Sequence, residues 1–97
     1  MRSGTPIETI MMWEGRSIRL SYDPVKWGIV DHLEIQSCDG GPLPITETGY
    51  RSHFFGPMEP ALTIEELHEY VHAWLDEAAR DPKWKAAEDK RRQLSLF

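Results

Sequence analysis

The clearest alternation in the chain falls at residues 17–22, Ser-Ile-Arg-Leu-Ser-Tyr, where Ile18, Leu20 and Tyr22 share one side and Arg19 and Ser21 the other. That period of two is the pattern of a half-buried strand. Upstream, residues 7–13 (IETIMMW) are β-branched and apolar enough for a first strand, although the run Ile10-Met11-Met12-Trp13 blurs the alternation. Glu14-Gly15-Arg16 supplies the tight turn that joins the two into a hairpin. Asp23-Pro24 is expected to break the second strand, and the stretch 25–30, with Trp27 and Gly28, reads as an aromatic bend over the sheet end. A third strand follows at 31–37, where Leu33 and Ile35 alternate with His32, Glu34 and Gln36 in the pattern of a half-exposed strand. The cluster Cys38-Asp39-Gly40-Gly41-Pro42, with Pro44 soon after, is a turn. A looser fourth strand spans 48–55, Tyr50 and Phe54 on one face and Arg51, His53 and Phe55 on the other, stopped by Gly56-Pro57 and Pro60.

Beyond Thr63 the period changes from two to about 3.6. Thr63 and Glu66 have the S/T-x-x-E spacing of a capping box, and Glu65 and Glu66 suit the positive end of a helix dipole. Ile64, Leu67, Val71, Trp74, Leu75 and Ala78 then form one apolar stripe, the natural cover for a sheet face. The helix should end near Arg80, because Asp81-Pro82 reads as an N-cap followed by proline at the first position of a second helix, 82 to about 92. Trp84 is expected to tuck that helix against the first. The fold class is therefore α+β: a small antiparallel β-meander of three to four strands followed by two C-terminal helices packed on one sheet face. The predicted organisation is a flexible leader over 1–6, a single domain over 7–87, and a charged helical stem with an apolar tip over 88–97.

Composition narrows what such a domain does. With 97 residues, 40% hydrophobic and 28% charged, the chain has the make-up of one small globular unit rather than a disordered segment. Sixteen acidic against eleven basic residues, net −5, argue against a body that binds nucleic acid by neutralising phosphates. One cysteine, Cys38, precludes an internal disulfide and suits a reducing cytoplasm. No stretch has the length and apolarity of a membrane span, so a cytoplasmic protein without membrane attachment is expected.

The end of the sequence departs from this ordinary picture. After the charged run Glu88-Asp89-Lys90-Arg91-Arg92 comes the apolar pentapeptide Gln93-Leu94-Ser95-Leu96-Phe97, where terminal residues are usually polar. A clasp of Leu94, Leu96 and Phe97 onto the chain's own core is the plain structural account. The five letters, however, resemble the peptide QL[S/D]LF by which bacterial polymerases, mismatch-repair and replication-control proteins bind the sliding clamp, the DNA polymerase III beta subunit. The resemblance covers five of 97 residues and is silent on the rest. It implies that Gln93 hydrogen-bonds at the mouth of the clamp pocket, that Leu94 fills a shallow subsite, that Ser95 is permissive, and that Leu96 and Phe97 enter the deep apolar pocket. Two large side chains contribute about 1.5–3 kcal/mol each on burial, less about 1–2 kcal/mol per ordered backbone unit, so a single peptide of this kind is a weak ligand, of the micromolar class (about −8 kcal/mol) at best. The function this implies is a non-enzymatic adaptor or regulator of replication or repair.

Other chemistry is thinner. Glu47, Tyr50, Arg51 and His53 place a carboxylate, a phenol, a guanidinium and an imidazole within seven positions, enough for an acid/base pair and an anion clamp in a small enzyme or ligand-binding domain. The bland account has Glu47 pairing with Arg51 while Thr46 and Thr48 satisfy a turn. His68 and His72 have the i, i+4 spacing of two metal ligands but lack the zincin glutamate, so two solvent-side histidines is the simpler reading. No catalytic residue, metal site or cofactor is assigned. Four tryptophans, Trp13, Trp27, Trp74 and Trp84, are first of all core residues, and a homodimer through Trp74 and Trp84 is compatible with either function.

Overall fold

The computed structural model describes residues 6–26, 29–58 and 60–94. Its elements are β1 (Ile7–Trp13), β2 (Arg16–Lys26), β3 (Val30–Ser37), β4 (Tyr50–Phe55), α1 (Ile64–Ala78) and α2 (Pro82–Leu94). The strands form one antiparallel sheet in the order β1-β2-β3-β4, a meander, with both helices following in sequence. This is the expected α+β class. Glu14 and Gly15 both take positive φ, 47° and 77°, the requirement of a two-residue primed turn, and Trp13 pairs with Arg16 across it.

The pleat sorts the side chains. Met11, Trp13, Ile18, Leu20, Tyr22, Leu33 and Ile35 lie on one face, each at most 5% exposed, and α1 completes the core from above with Leu67, Val71 and Leu75. Burial of such side chains stabilises the fold by about 1.5–3 kcal/mol each. α1 starts as its sequence dictates: Thr63 Oγ1 accepts from the Glu66 N–H at 3.1 Å, and the Thr63 N–H donates to Glu66 Oε1 at 3.0 Å. Towards β1 the helix is held by His68, whose Nε2 lies 3.1 Å from Thr9 Oγ1, and by Asp76, which accepts from Trp13 Nε1–H at 2.9 Å. Towards β4 it presents Tyr70 and Trp74, the latter ring 4.8 Å from that of His53. Ile64, expected in the buried stripe, is 45% exposed, because it sits at the first position of the helix.

Three expectations are corrected. Asp23-Pro24 does not end β2; the strand runs on to Lys26 through a shift of register between Asp23 and Lys26. Three steps on β2 match two on β3 there, so a bulge absorbs the proline, whose missing N–H removes one ladder bond. His32, which the alternation places on the open face of its strand, is only 6% exposed, since Phe54 stacks on it at 4.3 Å and Ser52 Oγ lies 2.7 Å from its Nε2. The 38–49 connection is more than a turn, because Leu43, bridged to Thr46, is 2% exposed and joins the core. Gly49 makes this possible: its φ is +79°, and a Cβ there would lie 2.6 Å from both Gly41 O and Ser37 Oγ.

A buried polar latch ties the β4–α1 connection to the sheet. Tyr22 Oη donates to Asp31 Oδ2 at 2.6 Å, the Met58 N–H donates to the same oxygen at 3.1 Å, and the Leu62 N–H donates to Tyr22 Oη at 3.2 Å. The expected bend at Trp27 and Gly28 and the leader at 1–5 lie outside the described residues.

Candidate functional site

α2 begins where Asp81-Pro82 predicts, with the Lys83 N–H donating to Asp81 Oδ1 at 2.9 Å. Trp84, Glu88 and Arg91 follow at i, i+4 and i+7 on one face. Trp84 packs on Trp13 of β1, with ring centroids 6.5 Å apart, not on α1 as expected. The reason is the length of the α1–α2 turn: only Ala79, Arg80 and Asp81 separate the helices, and Trp84 reaches the hairpin end of the sheet. Arg16 and Arg91 both approach the Trp84 ring, at 5.6 and 5.0 Å from its centroid. Glu88 Oε1 accepts from Arg16 Nη2 and lies 3.1 Å from Arg91 Nη2, while Arg16 Nη1 donates to Pro42 O at 2.6 Å. A cleft of about 620 Å³ opens between this cluster and the hairpin turn, lined by Trp13, Arg16, Trp84, Lys85, Glu88 and Arg91.

Among the described side chains of α2 these contacts lie on one face, while Lys83, Lys85, Asp89 and Lys90 are exposed. A 13-residue helix is about 20 Å long, and the molecule measures 55 × 22 × 21 Å. The pentapeptide starts inside α2, with Gln93 and Leu94 in its last turn, while Ser95, Leu96 and Phe97 lie outside the described residues. Within the charged run, Arg91 is drawn to Glu88 and Trp84.

The polar cluster of the 47–53 segment is divided by the pleat. Tyr50 points to the face without helices, where its hydroxyl donates to Glu34 Oε2 at 3.0 Å. Acceptance of that bond by Glu34 raises the Tyr50 pKa above 10.0 because ionisation would forfeit it, with burial and the carboxylate charge acting in the same direction. Arg51 and His53 point to the helix face. Arg51 donates to Ile45 O at 3.2 Å and stands 5.5 Å over Trp74 rather than pairing with Glu47, which is exposed. His53 sits among Phe55, Tyr70 and Trp74, and burial first, then the Arg51 charge, lowers its pKa below 6.5. Thr46 and Thr48 do serve the turn, their hydroxyls 3.1 Å apart and Thr46 Oγ1 donating to Tyr50 O at 2.7 Å. Glu47, Tyr50, Arg51 and His53 therefore do not converge on one point.

His68 and His72 also part company. His68 leans on Thr9, and His72 Nδ1 lies 3.0 Å from Asp76 Oδ2, the carboxylate that also holds Trp13. His68 is thus half-buried against β1 rather than solvent-side, and the described residues contain no group of three or more His, Cys, Asp or Glu placed to hold a metal. Arg16 and Trp13, which form the seat of α2, carried no signal in the sequence, because Arg16 and Glu88 are 72 positions apart.

A four-stranded antiparallel meander carrying two C-terminal helices on one face is a small α+β domain. Its residues 6–84 match the model of the KlcB third domain, and the chain belongs to that family. The match spans the sheet, α1 and the start of α2 as far as Trp84, and stops short of the pentapeptide. No curated protein and no solved structure matches the chain. Among the described residues no helix is long and apolar enough to cross a membrane.

Proposed function

We propose that this domain of KlcB type is a protein-interaction module, a non-enzymatic adaptor or regulator that docks on the bacterial sliding clamp through Gln93, Leu94, Ser95, Leu96 and Phe97. The observation that carries the proposal is the pentapeptide itself. Five specified letters, each at about one chance in twenty, come to on the order of one in a million at a given place. Two structural features support it. The peptide begins in the last turn of α2, beyond the Trp84, Glu88 and Arg91 contacts that seat the helix. The polar groups of the 47–53 segment are spent on structure, on Glu34, Ile45 O and the Trp74 ring.

Docking needs an extended peptide whose backbone and side chains both reach the pocket. Gln93 and Leu94 have helical backbone, so the last turn of α2 unwinds on binding, at the modest cost of releasing a helix end that lacks i+4 partners. Titration calorimetry of the full chain into purified clamp tests the reading. The expected Kd is in the micromolar class, about −8 kcal/mol, and it is lost in a variant carrying Leu96→Ala and Phe97→Ala. No heat at tens of micromolar, or equal binding by the double variant, refutes it.

A further inference from the structure

We propose that Ser52 is a nucleophile activated by His32 and Glu34, and that it takes up the acyl group of an ester whose acyl part is apolar. His32 and Glu34 are two positions apart on β3, and Ser52 stands opposite Glu34 on β4, so all three project from the helix-free face of the sheet. Ser52 Oγ lies 2.7 Å from His32 Nε2, and the other ring nitrogen, Nδ1, lies 3.9 Å from Glu34 Oε1. Glu34 is itself held, because its second oxygen accepts from the Tyr50 hydroxyl at 3.0 Å. A carboxylate beside Nδ1 favours the proton on that nitrogen, which leaves the Nε2 lone pair to accept from the Ser52 O–H. Asp23, opposite His32 on β2, adds negative charge around the same ring. Phe54 stacks on the imidazole at 4.3 Å and leaves His32 6% exposed, so water competes little for Nε2. Hydroxyl, base and carboxylate thus stand in the order that general-base activation of a serine requires.

The surroundings of Ser52, which is exposed, specify what it meets. Tyr50 and Phe54, two positions to either side on the same face, are 44% and 47% exposed and flank the hydroxyl with apolar rings. β4 is also an edge strand. The Ser37 N–H donates to Gly49 O at 2.8 Å, and the β3–β4 register places those two residues opposite each other. Arg51, His53 and Phe55 therefore bond to β3, while Tyr50, Ser52 and Phe54 aim their backbone N–H and C=O groups off the open edge. Thr46 and Thr48 take up those of Tyr50. The Ser52 N–H has no acceptor among the described residues, and it can donate to the oxyanion that forms when its own hydroxyl attacks. In the reaction the Ser52 oxygen bonds to the ester carbonyl carbon as its proton passes to Nε2. The tetrahedral oxyanion then collapses, the ester C–O bond breaks, and Nε2 returns the proton to the departing alcohol. The product is an acyl-serine beside a neutral His32. One amide donor on an open face suits capture of the acyl group rather than rapid turnover, so the site adds a covalent modification to the module and does not depend on the tail.

Measurements on the full chain, with no partner present, test this. An alkyl fluorophosphonate, from whose phosphorus the serine oxygen displaces fluoride, should label the peptide that contains Ser52, read by mass spectrometry. With p-nitrophenyl butyrate the chain should release about one equivalent of p-nitrophenolate and carry the butyryl group on Ser52. Ser52→Ala, at an exposed position, should abolish both, and His32→Gln should slow them by about 100-fold or more, with circular dichroism verifying the fold. Because His32 is buried under Phe54, its protonation is also read in the wild type, by long-range proton–nitrogen NMR of the imidazole. The neutral ring should carry its proton on Nδ1, and Glu34→Gln should move it towards Nε2. Label absent from Ser52 or equal on the other serines, labelling of Ser52 as fast in His32→Gln as in the wild type, or a wild-type ring protonated on Nε2 each overturn the proposal. A tautomer unmoved by Glu34→Gln overturns the part given to Glu34.

Discussion

Glu88 joins two guanidinium groups at the base of α2, and removing its carboxylate tests whether the helix is held by its seat or by its own propensity. An isolated helix of 13 residues is marginal in water, so docking decides whether α2 persists. Glu88 and Arg16 are 16% and 26% exposed in their side chains, and a charge-assisted contact this sheltered contributes about 1–2 kcal/mol. Arg91 is 37% exposed, and its Nη2 is within ion-pair distance of Glu88 without a well-aligned hydrogen bond, so solvent screening leaves that pair little to add. Glu88→Ala should therefore raise local opening of α2 by about 5- to 30-fold, at tenfold per 1.4 kcal/mol. Amide hydrogen exchange reads this directly: protection over residues 86–94 falls by that factor while the amides of β2 and β3 keep theirs. Glu88→Gln, which retains an acceptor for Arg16 but not the charge, should lie between. If Glu88→Ala leaves α2 protection unchanged, the ion pair does not hold the helix; if the whole sheet loses protection equally, α2 is not a separate unit.

Three further perturbations probe the body. Tyr22→Phe removes the hydroxyl that bridges Asp31 and the Leu62 N–H in a site where Tyr22 is 1% and Asp31 0% exposed, and should cost about 2–3 kcal/mol in urea unfolding, with the m-value unchanged; a loss under about 0.5 kcal/mol contradicts the latch. Gly49→Ala meets both a positive φ and two oxygens at 2.6 Å from the new Cβ, so a loss above about 2 kcal/mol is expected, visible as a fall in Tm of about 8 °C or more. His53 has a folded pKa below its unfolded value of about 6.5, so the unfolded chain binds the extra proton first. Its contribution to stability is present above that pH and is lost as pH falls towards the folded pKa; His53→Phe should flatten the stability profile over that window, and an identical slope in the variant rules out the histidine as its source.

The strands, α1 and its cap, and the start of α2 were legible in the sequence because each depends on neighbours within a turn or two. Backbone pleat converts a period of two into faces, so Ile18, Leu20 and Tyr22 could be assigned together before any contact was known. Thr63 and Glu66 are three residues apart, and Asp81 caps the very next turn. The same parity separates Tyr50 from Arg51 and His53, so the polar segment already carried the reason why it does not converge.

Tertiary structure alone decided the rest. Pro24 ends a strand in isolation, but here β3 alongside holds β2 together and a bulge absorbs the missing donor. His32 alternates as a surface residue should and is buried only because β4 brings Phe54 over it. Leu43 enters the core from a turn-forming segment because Gly49 lets two loop backbones approach closely. Arg16 and Glu88 meet across 72 positions, and no local pattern records a partner that distant. Local order follows from short-range sterics and hydrogen bonding, whereas which surfaces close on one another depends on shape and charge that exist only once the chain has folded.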